Sequence, residues 1–331
     1  MHYPALDYYR FFAAFLVASS HYMMVNLDTP ILELISILGV ELFFPLSGFV
    51  LANQLKKLES NPNSTWTFLL RRWVRTIPPY LVALICAAII FKAGDLINFL
   101  KFVTYTQNIF VDDPSPNFFS VAWSLSVEEW FYFFIPMCLL VLMKFYKHLS
   151  NKLIRICLSI ILIGIILKIV FVPSPEFWGE EIRRSVIFRI DSICYGVLAF
   201  LWKDFIDRKF FIINITLFFV FLFFLLQTPH LLAKNQLIQL IFLPTCSFSF
   251  AVILAFLSKF EINKKLSFFG RFLANISYSM YLFHLIFIAL FQKFLPQIEN
   301  GFAIYILTVV VFSTVFYYSF EKPINDARPN Y

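Results

Sequence analysis

The sequence predicts an all-α protein, a polytopic membrane helical bundle of about ten transmembrane helices. Three observations lead to this fold class. Hydrophobic residues make up 60% of the 331 residues and charged residues only 14%, whereas about a quarter of a soluble domain is charged. The apolar residues gather in stretches of about 20, the length that a helix needs to cross a bilayer. These stretches lack the alternating pattern that is typical of a membrane β-barrel.

The predicted spans follow one another along the whole chain and are separated by polar connections. The 45 phenylalanines suit the lipid-facing surface of such helices. A short amphipathic helix is predicted at residues 95–106 and a turn at residues 112–116, both in the long connection after the third span. The spans begin near Ala5, Leu34, Ile77, Val121, Leu153, Val186, Lys209, Leu237, Ala274 and Phe302.

The net charge of +7 comes from loops on one side of the bundle and does not indicate binding to nucleic acid. Every second connection and the C-terminal tail are rich in Lys and Arg, while the others are poor in them or acidic, as at Asp28, Glu33, Asp112 and Asp113. Because basic loops remain in the cytoplasm, both termini are predicted to be cytoplasmic. We expect a bacterial cytoplasmic (inner) membrane protein with membrane lipids around it. The basic positions are Lys56, Lys57, Arg71, Arg72, Arg75, Lys144, Lys147, Lys152, Arg155, Lys203, Arg208, Lys209, Lys259, Lys264, Lys265, Arg271, Lys322 and Arg328.

The chain is expected to form a single integral membrane domain over residues 1–331, with no appended soluble domain. Its first apolar segment lacks the basic start and the small-residue cleavage site of a secretory signal peptide. The five cysteines lie singly in different spans, so neither a zinc site nor a disulfide framework is predicted. Any chemistry is therefore expected inside the bundle or at its rim, without a metal.

Two ionisable residues in the first span are the strongest sign of a function. Arg10 and His21 are eleven residues apart, which turns an α-helix by about 1100°, so both side chains share one face about 16 Å apart. Ionisable groups are costly in a membrane and usually face the protein interior, where they mark a functional path. Under the predicted topology Arg10 lies nearer the cytoplasm and His21 nearer the outside.

The fourth span and the second cytoplasmic connection add further charged groups. Glu128 is expected at the depth of His21, where a carboxylate could fix the imidazole tautomer and stabilise its protonated form. A neutral histidine can take a proton from a hydroxyl near neutral pH. Arg72 and Arg75 are spaced i and i+3 at the cytoplasmic rim, and guanidinium groups bind phosphate oxygens in pairs.

Each of these groups also has a simpler interpretation. Arg71, Arg72 and Arg75 could anchor a helix to anionic lipid. The carboxylates of Glu128 and its neighbour could join helices by hydrogen bonds, and an intramembrane histidine is often a polar contact between helices. The combination of the groups, rather than any one of them, indicates a catalytic site.

Six motifs in order give the chain a resemblance to the acyltransferase-3 family of integral membrane acyltransferases, which transfer acyl groups to carbohydrate hydroxyls. The resemblance extends from Leu6 to about Pro323. The motifs are Leu6-Asp7 with Arg10 and His21, GVELFFPLSGF at 39–49, RWVR at 72–75 followed by Pro78 and Pro79, Gln107-Asn108 with WSLSVEEWFY at 123–132 and Pro136, RID at 189–191 with Gly196, and ISYSMYLFH at 276–284.

The resemblance implies a membrane O-acyltransferase that moves an acyl group, often acetyl, from cytoplasmic acyl-CoA to a hydroxyl of an extracytoplasmic or lipid-linked carbohydrate. It implies His21 and Glu128 as catalytic residues. Donor binding would fall to Arg10, Arg72, Arg75, Ser47 and Tyr278, and acceptor binding to Trp123, Ser124, Asn108, Arg189, Asp191 and His284. Gly48 and Gly196 are predicted to permit close helix approach.

Another class of protein is compatible with the same residues. In a transporter or flippase for a lipid-linked sugar, buried His, Glu and Arg would form a relay for protons or substrate. Release of CoA by the purified protein would separate the two hypotheses. The sequence leaves open the acceptor, acetyl against a longer acyl group, direct transfer against an acyl-enzyme, and the oligomeric state.

Overall fold

The computed structural model describes residues 2–25, 27, 29–110, 117–146, 148–171, 178, 182–295 and 300–329. The described residues form helices and connections, with no β-strand among them. The predicted turn at 112–116 and the acidic residues Asp28, Asp112 and Asp113 lie outside them. The α-helices are α1 (Pro4–Met24), α2 (Pro30–Glu41), α3 (Phe43–Ser60), α4 (Thr65–Phe91), α5 (Leu96–Val103), α6 (Ala122–Phe145), α7 (Lys152–Val170), α8 (Val186–Leu201), α9 (Arg208–Gln227), α10 (Pro229–Lys234), α11 (Gln236–Leu257), α12 (Lys264–Phe294), α13 (Gly301–Phe316) and α14 (Lys322–Asp326).

Eight helical segments within the described ranges are long and apolar enough to cross a membrane. They match eight of the ten predicted spans. The two other predicted spans correspond to α1, whose first half carries Asp7 and Arg10, and to α8. The 16 residues of α8 extend over about 24 Å, less than the thickness of a bilayer core of about 30 Å. The structure therefore supports an all-helical integral membrane protein.

Large apolar side chains cover much of the outer surface. In α9 the buried side chains are Phe218 and Leu225, while Leu217, Phe219 and Phe223 are exposed. A helix that is apolar on all sides and buried on only one suits contact with lipid tails.

The centre of the bundle is the close packing of α3 against α8. A Cβ atom added at Gly48 would lie 2.0 Å from the carbonyl oxygen of Ile193, and one at Gly196 would lie 1.8 Å from that of Pro45. Backbone carbonyls cannot move aside as a flexible side chain can. The prediction that these two glycines permit close helix approach is confirmed.

The second predicted span is divided at Leu42 into α2 and α3. Pro45 is the third residue of α3, in the turn where backbone N–H groups have no partner within the helix. The division places the C-terminal part of α2 beside α1 and the N-terminal part of α3 beside α8.

The remaining packing determines which side chains can meet. Helix α1 packs against α12 and α2, which brings three helices together at the C-terminal half of α1. Helix α6 packs against α3, α4 and α8. The predicted amphipathic helix is present as α5, and the Asp95 side chain caps its first turn by accepting a hydrogen bond from the backbone N–H of Asn98 at 2.7 Å.

Candidate functional site

Two histidines from α1 and α12 form a hydrogen-bonded pair in the bundle, which we call the histidine pair. His21 Nδ1 lies 2.9 Å from His284 Nε2, and the two ring planes are parallel within 1°. His284 is fully buried and His21 is partly buried. Both histidines are predicted site residues, but His284 was expected at the acceptor and not beside His21.

The partners of the histidine pair assign the direction of its hydrogen bonds. His284 Nδ1 lies 2.7 Å from the carbonyl oxygen of Tyr281, which can only accept, so this nitrogen carries the proton. In a neutral ring His284 Nε2 then accepts from His21 Nδ1. The remaining nitrogen, His21 Nε2, keeps a free electron pair, and the hydroxyl of Ser36 lies 2.9 Å from it and donates to it.

The expected pairing of His21 with Glu128 is wrong. Both nitrogens of His21 are occupied by other side chains. Glu128 accepts hydrogen bonds from the hydroxyls of Ser47 at 2.7 Å and Tyr132 at 2.8 Å. The expected common depth is not found either: Glu128 shares a cavity with Arg10, about three helical turns along α1 from His21. Helix α6 packs against α3 and α4, whereas α1 packs against α2 and α12.

Glu128 instead lies on the wall of a cavity of about 90 Å³, which we call the arginine cavity. This volume is enough for several water molecules. All five residues predicted to bind the donor line it, together with one of the predicted acceptor residues. The lining includes Arg10, Arg72, Arg75, Ser47, Tyr278, Ser124, Glu128, Tyr132, Phe43 and Tyr281.

Positive charge dominates one part of this cavity. Arg10 and Arg75 donate no hydrogen bond to any described residue, although both line the cavity, and Arg72 donates to the Gln54 side chain at 3.3 Å. A further arginine, Arg328, lies outside the last span, close enough to Arg75 and Arg71 to be affected by their charges. Burial lowers the pKa of the Arg328 guanidinium, and the charges of Arg75 and Arg71 lower it further. Such a group of guanidinium ions suits a ligand with several negative charges.

One tyrosine separates the arginine cavity from the histidine pair. Tyr281 lines the cavity, and its ring centroid lies 5.8 Å from that of His284. Its hydroxyl is 2.6 Å from the hydroxyl of Ser124, and its ring packs edge-on against Phe43. Tyr281 thus contacts both parts of the site, and its ring and hydroxyl are held by Phe43 and Ser124.

Trp123 and Asn108, two of the predicted acceptor residues, lie outside the lining of the arginine cavity. The Asn108 amide donates to the backbone carbonyls of Trp123 at 3.0 Å and Arg184 at 2.6 Å, so it joins two segments of the chain. The guanidinium of Arg183 lies 5.4 Å from the ring of Trp123. Trp123 and Asn108 therefore both contact the segment that holds Arg183 and Arg184.

Arg189 and Asp191, which were predicted to bind the acceptor, form buried ion pairs. Arg189 donates to Glu41 of α2, and Asp191 accepts from Lys168 of α7 at 2.6 Å. Each of the four side chains is at most 2% exposed, and neither pair lines the arginine cavity. These contacts favour a structural role in joining α2, α7 and α8 and do not support acceptor binding.

Sequence reasoning missed Ser36, Glu41 and Lys168. A single serine in an apolar helix carries no signal, since most such hydroxyls bond to their own helix. The two charged residues could have been recognised as costly inside a span, although the sequence does not identify their partners. Among the described residues, no cluster of His, Cys, Asp and Glu side chains could hold a metal ion.

Comparison with known proteins gives a consistent result. The chain matches the acyltransferase-3 family model, described as an acyltransferase domain, over residues 3–320. It is 27% identical over 188 residues to the peptidoglycan O-acetyltransferase OatA of Listeria monocytogenes, which is 50% of this chain and 29% of that protein. It is 26% identical over 194 residues to the O-acetyltransferase OatA of Staphylococcus aureus, 52% of this chain and 31% of the relative. The matched part thus spans less than a third of these relatives, and no solved structure matches the chain.

Proposed function

The chain belongs to the acyltransferase-3 family, and on that basis we propose that it is a membrane O-acetyltransferase that uses acyl-CoA to acetylate a carbohydrate hydroxyl. The relatives that share about half of its length are named O-acetyltransferases. The single observation that carries the proposal is the histidine pair, in which the electron pair of His21 Nε2 faces a hydroxyl while the other nitrogen is held by His284.

The arginine cavity supports the choice of donor. Acyl-CoA carries several phosphate groups, and the guanidinium groups of Arg10, Arg72 and Arg75 would bind them at the cytoplasmic side. Glu128, held by Ser47 and Tyr132, would orient Arg10 and Arg75 by its charge. The thioester would then point towards Tyr281 and the histidine pair. Rotation of the Tyr281 ring would open a passage between the arginine cavity and the histidine pair.

The chemistry is general base catalysis of acyl transfer. His21 Nε2 would take the proton from the attacking hydroxyl, which adds to the thioester carbonyl. Collapse of the tetrahedral intermediate breaks the carbon–sulfur bond, and the CoA thiolate receives the proton from His21. His284 would hold His21 in the required tautomer and would act as a positioning residue.

The acceptor would approach from the opposite side. We propose ten spans with both termini in the cytoplasm, so that α1 places Arg10 towards the donor compartment and His21 towards the outside. The name of the Listeria relative suggests a peptidoglycan-like glycan as the acceptor, and a lipid-linked glycan is the other acceptor class that the sequence leaves open.

The test uses purified protein in lipid nanodiscs with acetyl-CoA and soluble glycan fragments of peptidoglycan. The wild type is expected to release CoA and to acetylate the glycan, detected by mass spectrometry. His21→Ala should lower the rate by ~10²–10⁴-fold, the usual contribution of a general base. His148→Ala, at an exposed loop position, is the matched control and should keep the wild-type rate.

Two results would contradict the proposal. A correctly folded His21→Ala protein with the wild-type rate would remove His21 from the reaction. Transport of a lipid-linked sugar without any release of CoA would favour the transporter hypothesis instead.

A further inference from the structure

Ser36 is a buried serine beside the histidine pair whose role has not yet been assigned. It lies in the middle of α2, and only 8% of its surface is exposed. Its hydroxyl contacts His21 Nε2 at 2.9 Å across the α1–α2 interface. No hydrogen bond connects it to the carbonyl groups of its own helix.

Other serines near the site have different partners. Ser20 precedes His21 directly, yet its hydroxyl bonds to the carbonyls of Leu16 and Val17 in its own helix. The hydroxyl of Ser47 donates to Glu128. Among the described serines, Ser36 is therefore the one that meets the free electron pair of the histidine pair.

The contacts among Ser36, His21 and His284 follow the arrangement of an activated nucleophile. A hydroxyl lies within hydrogen-bond distance of a base, and a third group orients that base. In this chain Ser36 is the hydroxyl, His21 is the base, and His284 orients it through a bond anchored on the Tyr281 carbonyl. We propose that Ser36 carries the acyl group as an ester between donor and acceptor. This inference rests on the proposed function.

The reaction has two half-reactions, acylation of Ser36 and transfer to the acceptor, and His21 is the base in both. In the first, Ser36 Oγ adds to the thioester carbonyl while His21 Nε2 takes its proton. The carbon–sulfur bond breaks, and the CoA thiolate takes that proton. In the second, His21 removes a proton from the acceptor hydroxyl, which adds to the ester carbonyl. The bond to Ser36 Oγ breaks, and His21 returns the proton to the serine.

A covalent intermediate suits a site in which the arginine cavity and the histidine pair are separate. The two histidines do not line the arginine cavity, and Tyr281, which lines it beside Ser124 and Phe43, has its ring 5.8 Å from that of His284. A serine ester would let CoA leave before the acceptor arrives, so donor and acceptor need not meet in one open channel. Ping-pong kinetics and a burst of CoA are the expected signs.

The experiment incubates purified protein with acetyl-CoA alone, stops the reaction with acid, and maps the acetyl group by tandem mass spectrometry. The wild type is expected to carry acetyl on the peptide that contains Ser36 and to release up to one equivalent of CoA rapidly. Ser36→Ala should lose the adduct and the burst. Ser20→Ala, which removes a neighbouring hydroxyl that is bonded to its own helix, should keep both.

Ser36→Cys is a second variant that retains a nucleophile of similar size. Its adduct would be a thioester, which neutral hydroxylamine cleaves, whereas the wild-type oxyester resists it until the solution is alkaline. A change from resistant to sensitive adduct at residue 36 would identify the acylated atom, even if Ser36→Ala folds poorly.

The results separate this inference from the proposed function. Transfer to the added glycan fragments by a wild type that shows no adduct at Ser36, or by Ser36→Ala at the wild-type rate, would overturn the acyl-serine and leave the transferase intact. Acetylation of a different residue would also overturn it. A wild type that neither releases CoA nor acetylates the glycan would refute the transferase itself.

Discussion

At the scale of single residues, the main finding is that the partner of His21 is a second imidazole and not a carboxylate. A buried carboxylate would have to be paired or hydrogen-bonded to offset the loss of its hydration. His284 orients His21 without adding a charge, and its own proton goes to a backbone carbonyl. The acidic residue that sequence reasoning assigned to this task, Glu128, lies among the arginines of the cavity instead.

The arginine cavity gives a prediction for donor binding. Arg75→Gln removes a guanidinium that has no hydrogen-bond partner among the described residues. Loss of a hydrogen bond to a charged group costs about 1.5–3 kcal/mol, so the KM for acetyl-CoA should rise about 10–100-fold. If Arg75 binds phosphate equally in the ground and transition states, kcat stays near the wild-type value.

Steady-state kinetics with varied acetyl-CoA measure this effect. Arg155→Gln is the matched control, because that exposed guanidinium bonds to the Ser150 carbonyl away from the cavity. An unchanged KM in Arg75→Gln would show that the cavity does not hold the phosphates.

At the scale of helices, buried charges join elements that could otherwise slide in lipid. The Lys168–Asp191 pair links α7 to α8, and the Arg189–Glu41 pair links α8 to α2. Water cannot replace either partner, because these side chains are at most 2% exposed. Helix α3, which packs against α8, also contacts α1 and α6, two of the helices that carry site residues.

Breaking one pair should therefore be more harmful than removing both of its charges. Lys168→Met leaves the Asp191 carboxylate buried and alone, which is expected to cost about 3–5 kcal/mol of folding free energy. The double variant Lys168→Met/Asp191→Leu should recover part of that loss. Thermal midpoints in nanodiscs measure both changes.

The exposed pair Lys322–Asp326 provides the control. Its side chains are 49% and 65% exposed, so Lys322→Met should leave the midpoint unchanged. If Lys168→Met were as stable as the wild type, the buried pair would have no role in holding α7 to α8.

At the scale of the whole molecule, function depends on which end of the bundle faces which compartment. The arginine cavity and the histidine pair lie towards different ends of α1, since Arg10 is in its first half and His21 near its end. Delivery of donor and acceptor from opposite sides needs the C-terminal tail and the arginines of α4 on the cytoplasmic side.

Reporter fusions test this orientation. A reporter that is active only in the cytoplasm should be active when fused after Tyr331 and inactive when fused after Gly94, in the connection between α4 and α5. The opposite pattern would reverse the predicted topology and exclude cytoplasmic acyl-CoA as the donor at the arginine cavity.

The sequence determined the helical class, the positions of the apolar segments and the family. Length and apolar composition decide whether a segment can span a bilayer, and neither depends on its neighbours. The helical period likewise placed Arg10 and His21 on one face of α1. The five residues that the sequence assigned to the donor do line one cavity. They are Arg10, Ser47, Arg72, Arg75 and Tyr278.

Only the tertiary structure decided which side chains meet. The sequence estimates depth along a span, but the rotation of each helix and its choice of neighbour come from packing, as where Gly48 and Gly196 let α3 and α8 touch. That packing turned Glu128 towards the arginines, placed Asp191 on Lys168, and brought His284 and Ser36 to His21. Contacts between helices distant in sequence leave no periodic trace in the chain, so the partners of His21 became visible only when α1, α2 and α12 were seen together.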